Sequence, residues 1–119
     1  MESTKKFDLE ERARNFAIDV RNFIKKLPRS ISTIEYGKQL IRSSGSIGAN
    51  YIEANEALGK KDFSMHMKIC RKESKESRHW LALLDINEKS NELVAQRKKL
   101  MEEALELVKI FNSIVRKSV

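Results

Sequence analysis

The chain has 119 residues, 40% of them hydrophobic and 34% charged, with one Pro, four Gly and a single Cys. That is enough for one buried core and too little for two, too apolar for a disordered chain and too charged for a membrane protein, since no apolar run approaches the ~18 residues of a bilayer span. A net charge of +7 and a pI of about 9.6 direct attention to acidic partners, nucleic acid first. The opening residues M-E-S-T-K-K-F-D lack the apolar centre of a secretory signal, and the lone Cys70 has no partner for a disulfide within the chain, so a reducing cytoplasm is the expected location.

A first helix is expected over about 8–27. Asp8 and Glu11 have capping-box spacing, and Ala13, Phe16, Ala17, Val20, Phe23, Ile24 and Leu27 hold one face until Pro28 ends it. The second helix, over about 31–58, starts near Ser30 or Ser32, with Ser32 and Glu35 again at capping-box spacing. Gly45 and Gly48 each cost a helix about 1 kcal/mol relative to Ala. Leu40, Ile41, Ser44, Ile47, Gly48, Tyr51 and Ile52 nevertheless keep helical phase through them, so the helix is expected to continue, with close packing of a neighbour offsetting the cost. Gly59 is placed just past the end of this helix and Asp62 at the cap of a third, over about 62–87. After the polar turn N-E-K-S-N, a fourth helix over about 92–117 carries Leu93, Val94, Leu100, Met101, Ala104, Leu107, Val108, Phe111, Ile114 and Val115. No segment has the alternation of a strand. Four long amphipathic helices joined by short turns imply an all-α fold, an antiparallel up-down-up-down four-helix bundle that forms a single domain over 1–119, roughly 40 Å long.

The third helix carries three stripes. Phe63, Met67, Cys70, Ser74, Ser77, Leu81 and Leu84 form a seam for packing against another helix. Ile69, Glu73, Glu76, Trp80 and Leu83 form a second stripe, apolar at its ends and acidic in its middle. Lys61, Lys68, Arg71, Lys75 and Arg78 form a third that contains no acid. Like charges three or four apart cost a few tenths of a kcal/mol each, so this ridge calls for anions, and phosphates of RNA or DNA are the expected ones. No aromatic side chain interrupts it, which favours backbone contacts of little sequence selectivity over base stacking. Acids from the first or fourth helix, or from another subunit, are the alternative neutralising partners.

Ser46, Asn50 and Glu53 on the second helix, with Glu73 and Glu76 on the third, are expected to form a hydrogen-bonded polar layer that fixes helix register. Inward carboxylates also suggest a metal, and Glu76 and His79 have the Glu-x-x-His spacing of di-metal bundles. Such sites need that motif twice, and His66 has no Glu three residues before it, so no metal is expected and His66 and Cys70 read as packing residues. No nucleophile, base and orienting group can be assembled and no Gly-rich phosphate loop is present, so neither a cofactor nor an enzymatic activity is expected. W-L-A-L-L-D-I, Trp80 to Ile86, is apolar nearly all round a helix, more than one bundle can cover. The remainder is therefore expected to be buried elsewhere or to contact another subunit, with Trp80, Leu83 and Ile86 as the expected subunit contacts and Tyr36 and Phe63 beside them.

S-I-G-A-N-Y-I-E-A from Ser46, K-K-D-F from Lys60 and K-E-S-K-E-S-R-H-W-L from Lys72 occur in that order across the second and third helices. Together they closely resemble the bacterial four-helix bundle proteins associated with intervening sequences in 23S ribosomal RNA genes. Ser46, Asn50, Glu53, Asp62, Phe63, Glu73, Glu76, Trp80 and Leu81 fall on that family's characteristic positions. The resemblance implies an up-and-down bundle, a homo-oligomer that is typically a pentamer, and no enzymatic activity. A related branch, the accessory proteins of diversity-generating retroelements, binds nucleic acid and a reverse transcriptase. The expected function is thus a non-catalytic, basic, homo-oligomeric bundle that binds RNA or DNA. The alternative is a scaffold for another protein, such as a reverse transcriptase, with no direct nucleic-acid role.

Overall fold

In the computed structural model, which describes residues 4–118, the chain forms four helices: α1 (Thr4–Lys25), α2 (Ile31–Asn55), α3 (Lys60–Leu83) and α4 (Asn91–Lys117). No strand occurs among the described residues. The helix starts follow side-chain chemistry. Ser30 and Ser90, both with extended backbone, accept hydrogen bonds from the N–H groups of Thr33 (3.1 Å) and Leu93 (3.2 Å), so each satisfies a donor that the first turn leaves free. Ser32 therefore lies inside α2, and the start falls on the earlier of the two expected serines.

Several expected boundaries shift. Asp8 sits within α1 and is not its cap. Helix α2 stops at Asn55, where the Glu56 N–H bonds back to the carbonyls of Ile52 and Glu53. Gly59 does not close α2 but precedes α3 as its N-cap, with φ −161° and ψ 173°, and Asp62 lies in the first turn, where its carboxylate faces the positive end of the helix dipole. Helix α3 ends at Leu83, four residues early. Leu84 turns extended and buries its side chain with that of Ile86 in the core, while Arg97 Nη1 donates to the Leu84 carbonyl at 2.9 Å. Burial of two large side chains and a charged donor on the freed carbonyl outweigh another turn of helix.

Cross-helix contacts fix the directions. Ile24 lies by Gly37 and Ala13 by Gly48; Ser43 meets Ser77 and Asn50 meets His66; Arg71 meets Asn112 and Arg78 meets the Met101 carbonyl; Arg12 meets Glu103 and Lys26 meets Glu92. In every pair one number rises as the other falls, so each helix runs antiparallel to the next and α4 closes back antiparallel on α1. The molecule measures 47 × 31 × 19 Å. Phe16, Val20, Leu40, Ile47, Met67, Leu81, Leu107 and Phe111 fill its centre, and Tyr51 reaches across from α2 to Phe111 on α4 with ring centroids 6.2 Å apart.

The four seams are unequal. Helices α2 and α3 share the most extensive contact, lined by the small residues Ser43, Ser74 and Ser77, all buried. Ser43 and Ser77 hydrogen-bond across it at 2.8 Å, and Ser74 returns a bond to the Cys70 carbonyl. Helices α1 and α4 share the least, leaving a groove of about 660 Å³ floored by Phe16, Phe23 and Leu100 and spanned by the Arg12–Glu103 ion pair. Helix α2 is continuous through Gly45 and Gly48, as its phase requires, but close packing is not the reason. A Cβ at Gly48 would meet Ala13 at an ordinary 3.6 Å, and one at Gly45 would meet nothing within 4 Å.

Candidate nucleic-acid interface

Helix α3 divides its charges by face. The residues turned toward α2 include Glu73, buried with only 7% of its side chain accessible, and Glu76, 40% accessible. Arg42 on α2 spans both, placing Nη1 3.5 Å from Glu73 Oε1 and Nη2 3.3 Å from Glu76 Oε1, and Lys72 approaches Glu73 at 4.0 Å. A buried carboxylate without cations would be costly, and Arg42, with Lys72 beside it, supplies the opposing charge. About two helical turns nearer the start of α3, Asn50 Nδ2 donates to the Ser46 carbonyl at 3.0 Å, which orients Asn50 Oδ1 toward His66 Nδ1 at 3.2 Å; His66 Nε2 lies 3.5 Å from Asp62 Oδ1. The polar residues thus form two separate clusters, Asn50 with the Ser46 carbonyl, His66 and Asp62, and Arg42 with Glu73 and Glu76. Glu53 stands apart, exposed on α2. Arg42 and Ser43 had no role in the sequence reading, because their partners depend on the register between two helices; an Arg facing two acids three residues apart is the signal that registration would have exposed.

The opposite side of α3, toward α4, carries the ridge. Lys61, Lys68, Lys75 and Arg78 are exposed, and Arg71 is half-buried. Arg71 Nη1 donates to Asn112 Oδ1 at 2.9 Å and Arg78 Nε to the Met101 carbonyl at 3.3 Å, so both arginines are anchored to α4 by neutral groups. Among the described residues no carboxylate lies within the 4.0 Å of an ion pair from any of the five. Glu73 and Glu76 are turned to Arg42 instead, and Asp62 lies by His66. The surface between α3 and α4 therefore keeps uncompensated positive charge, which attracts polyanions over a Debye length of about 8 Å at physiological salt.

Glu76 and His79, and the residues expected to meet another subunit, are held by contacts within the bundle or left apart from one another. Glu76 is engaged by Arg42, His79 packs its edge on Trp80 with centroids 4.9 Å apart, and among the described residues no group of three or more His, Cys, Asp or Glu is arranged to hold a metal. Burial raises the Cys70 thiol from its ordinary 9.0 to about 12; the nearby Glu73 adds to the rise and a backbone hydrogen bond opposes it, so the sulfur stays protonated. The expected all-round apolar turn does not form, since α3 ends at Leu83. Ile86 is buried in its own core rather than offered to a partner, Trp80 stacks on Tyr36 at 5.8 Å, and only Leu83 is left 41% exposed. A second apolar surface lies between α1 and α2, where Ala17, Ile18, Ile41, Ala49 and Ile52 line a groove of about 450 Å³ rimmed by Arg14 and Arg21.

Comparison with known proteins agrees with this architecture. A crystal structure of a protein of unknown function from the S23 ribosomal protein family of Bacteroides thetaiotaomicron superposes with a TM-score of 0.77 at 28% identity, covering 94% of this chain and 98% of that one. No curated protein matches the sequence. No helix among the described residues is long and apolar enough to cross a membrane. The profile of the 23S rRNA-intervening sequence proteins matches residues 5–113, nearly the whole of the four helices, and the chain belongs to that family.

Proposed function

We propose that this protein acts by binding and not by catalysis: it is a homo-oligomeric bundle that holds RNA or DNA through phosphate contacts from α3, with little selectivity for sequence. The observation that carries the reading is the ridge of Lys61, Lys68, Arg71, Lys75 and Arg78, which has no carboxylate within ion-pair distance among the described residues while Glu73 and Glu76 of the same helix face Arg42. Neutralisation by acids of the first or fourth helix, the main alternative for the ridge, has no counterpart in these contacts. For self-association, the apolar groove of Ile18, Ile41 and Ile52 between α1 and α2 is a better candidate than the end of α3, because Ile41 and Ile52 remain 45% and 44% exposed whereas Ile86 is internal. The same groove supports the rival reading, a scaffold that seats another protein.

One experiment separates the two. Light scattering on the purified protein establishes the assembly, and fluorescence anisotropy with labelled RNA and DNA measures affinity at several salt concentrations. Changing Lys61, Lys68 and Lys75 together to Glu is expected to leave helicity and assembly intact. Affinity should fall across sequences, and the slope of log K against log salt should flatten by about one unit per lost contact. A correctly assembled variant with native affinity and slope removes α3 from the mechanism and favours the scaffold; a protein that scatters as one chain at micromolar concentration removes the oligomer.

A further inference from the structure

The ridge on α3 is one of two rows. Arg71 and Asn112 touch across the outer α3/α4 seam, and this contact sets the register between the helices. Because the helices are antiparallel, one turn from that contact in one direction brings Lys68 on α3 level with Arg116 on α4; one turn in the other direction brings Lys75 level with Lys109. All four are exposed. Arg116, like Lys68 and Lys75, has no carboxylate within ion-pair distance among the described residues. Lys109 has Glu106 at 3.6 Å, an exposed pair three residues apart on one helix that water and salt already weaken. Lys68 and Lys75, and likewise Lys109 and Arg116, are seven residues apart, about 10.5 Å along their helices. Packed helix axes lie about 8–10 Å apart, so the cations form two rows of comparable separation.

A single strand tracked by one row would leave the other idle. It would also find nothing on which to stack its bases: Phe111 is buried, Phe63 packs on the core and Trp80 stacks on Tyr36 of α2, so no Phe, Tyr or Trp of α3 or α4 faces this seam. Two parallel rows suit an object with two charged edges. In a duplex the backbones bordering a groove are about 6 to 12 Å apart, within reach of long side chains from rows so spaced. Resting on the reading that α3 contacts phosphates, we propose that the α3/α4 seam straddles a double-stranded nucleic acid, Lys68 and Lys75 reaching one backbone and Lys109 and Arg116 the other. The contact between Arg71 and Asn112 keeps the two rows in step.

The test uses the full-length protein and four probes of equal length: an RNA duplex, a DNA duplex, oligo-U and oligo-dT. The double variant Lys109→Gln/Arg116→Gln is expected to lower the salt slope on duplex by about two units, as much as Lys68→Gln/Lys75→Gln does. The wild type is expected to bind duplex more tightly than either single strand. The charge-preserving exchange Lys109→Arg/Arg116→Lys should keep the native slope, which separates loss of charge from damage to α4. The effect on one duplex type alone supports the proposal and names that type. A native slope on both duplexes for Lys109→Gln/Arg116→Gln, when Lys68→Gln/Lys75→Gln lowers it, overturns the two-row inference and leaves the α3 reading standing; so does preference for single strands. Salt-independent binding, or none, by the wild type overturns both.

Discussion

Cys70 lies at the contact of α2 and α3, its Sγ 3.5 Å from the Ile47 carbonyl, and shows what burial does to a titratable group. Its thiol is raised from 9.0 to about 12, chiefly because a thiolate would lose its hydration there. Above pH 9 the unfolded chain releases this proton while the native protein keeps it, so the unfolded state binds fewer protons and stability falls as pH rises from 9 toward 12. The urea midpoint of Cys70→Ala is therefore expected to fall less than that of the wild type between neutral and alkaline pH; parallel curves would contradict the shift. At this scale the sequence was legible wherever one helix sufficed. Glu73, one of two carboxylates in a stripe that is apolar at both ends, was identifiable as an inward polar residue, and Asn50 as a bonded one. Arg42 and Ser43 were not, because each acquires its meaning from a residue more than 30 positions away, Glu73 and Ser77 respectively.

At the scale of the helix, phase carried further than termini. The apolar spacing through I-R-S-S-G-S-I-G-A-N-Y identified α2 as unbroken across two glycines, and the structure agrees. The proposed compensation does not survive, since Gly45 has open space around its missing Cβ. Gly45→Ala should consequently stabilise the protein by about 0.5–1 kcal/mol, through lower backbone entropy in the unfolded chain, measured as a higher urea midpoint at constant m. A loss of stability would mean that the exposed face of α2 is packed against something in solution. Helix ends were less legible than phase because tertiary burial decides them. Nothing local to W-L-A-L-L-D-I says that Leu84 and Ile86 gain more by leaving the helix than by extending it, and Gly59 has the composition of a closing residue while its extended backbone serves as an opening one.

For the whole molecule, the antiparallel order of the helices followed from short turns between amphipathic segments, and the side-chain pairs along every seam agree with it. The candidate interface was half legible. A single-helix stripe reveals Lys61, Lys68, Arg71, Lys75 and Arg78, but Lys109 and Arg116 join it only once α4 is docked in register. The unequal seams have a kinetic counterpart. Helices α2 and α3 interlock through buried serines, while α1 meets α4 across an open groove spanned by a half-buried ion pair. Such a bundle should not open uniformly. Local opening free energies follow the density of buried contacts, so α1 is expected to detach in a partial excursion that leaves the α2–α3 hairpin intact. Native-state amide exchange would register this as faster deuterium uptake in the centre of α1 than in the centres of α2 and α3. Uniform protection across all four helices would instead mark the bundle as one cooperative unit.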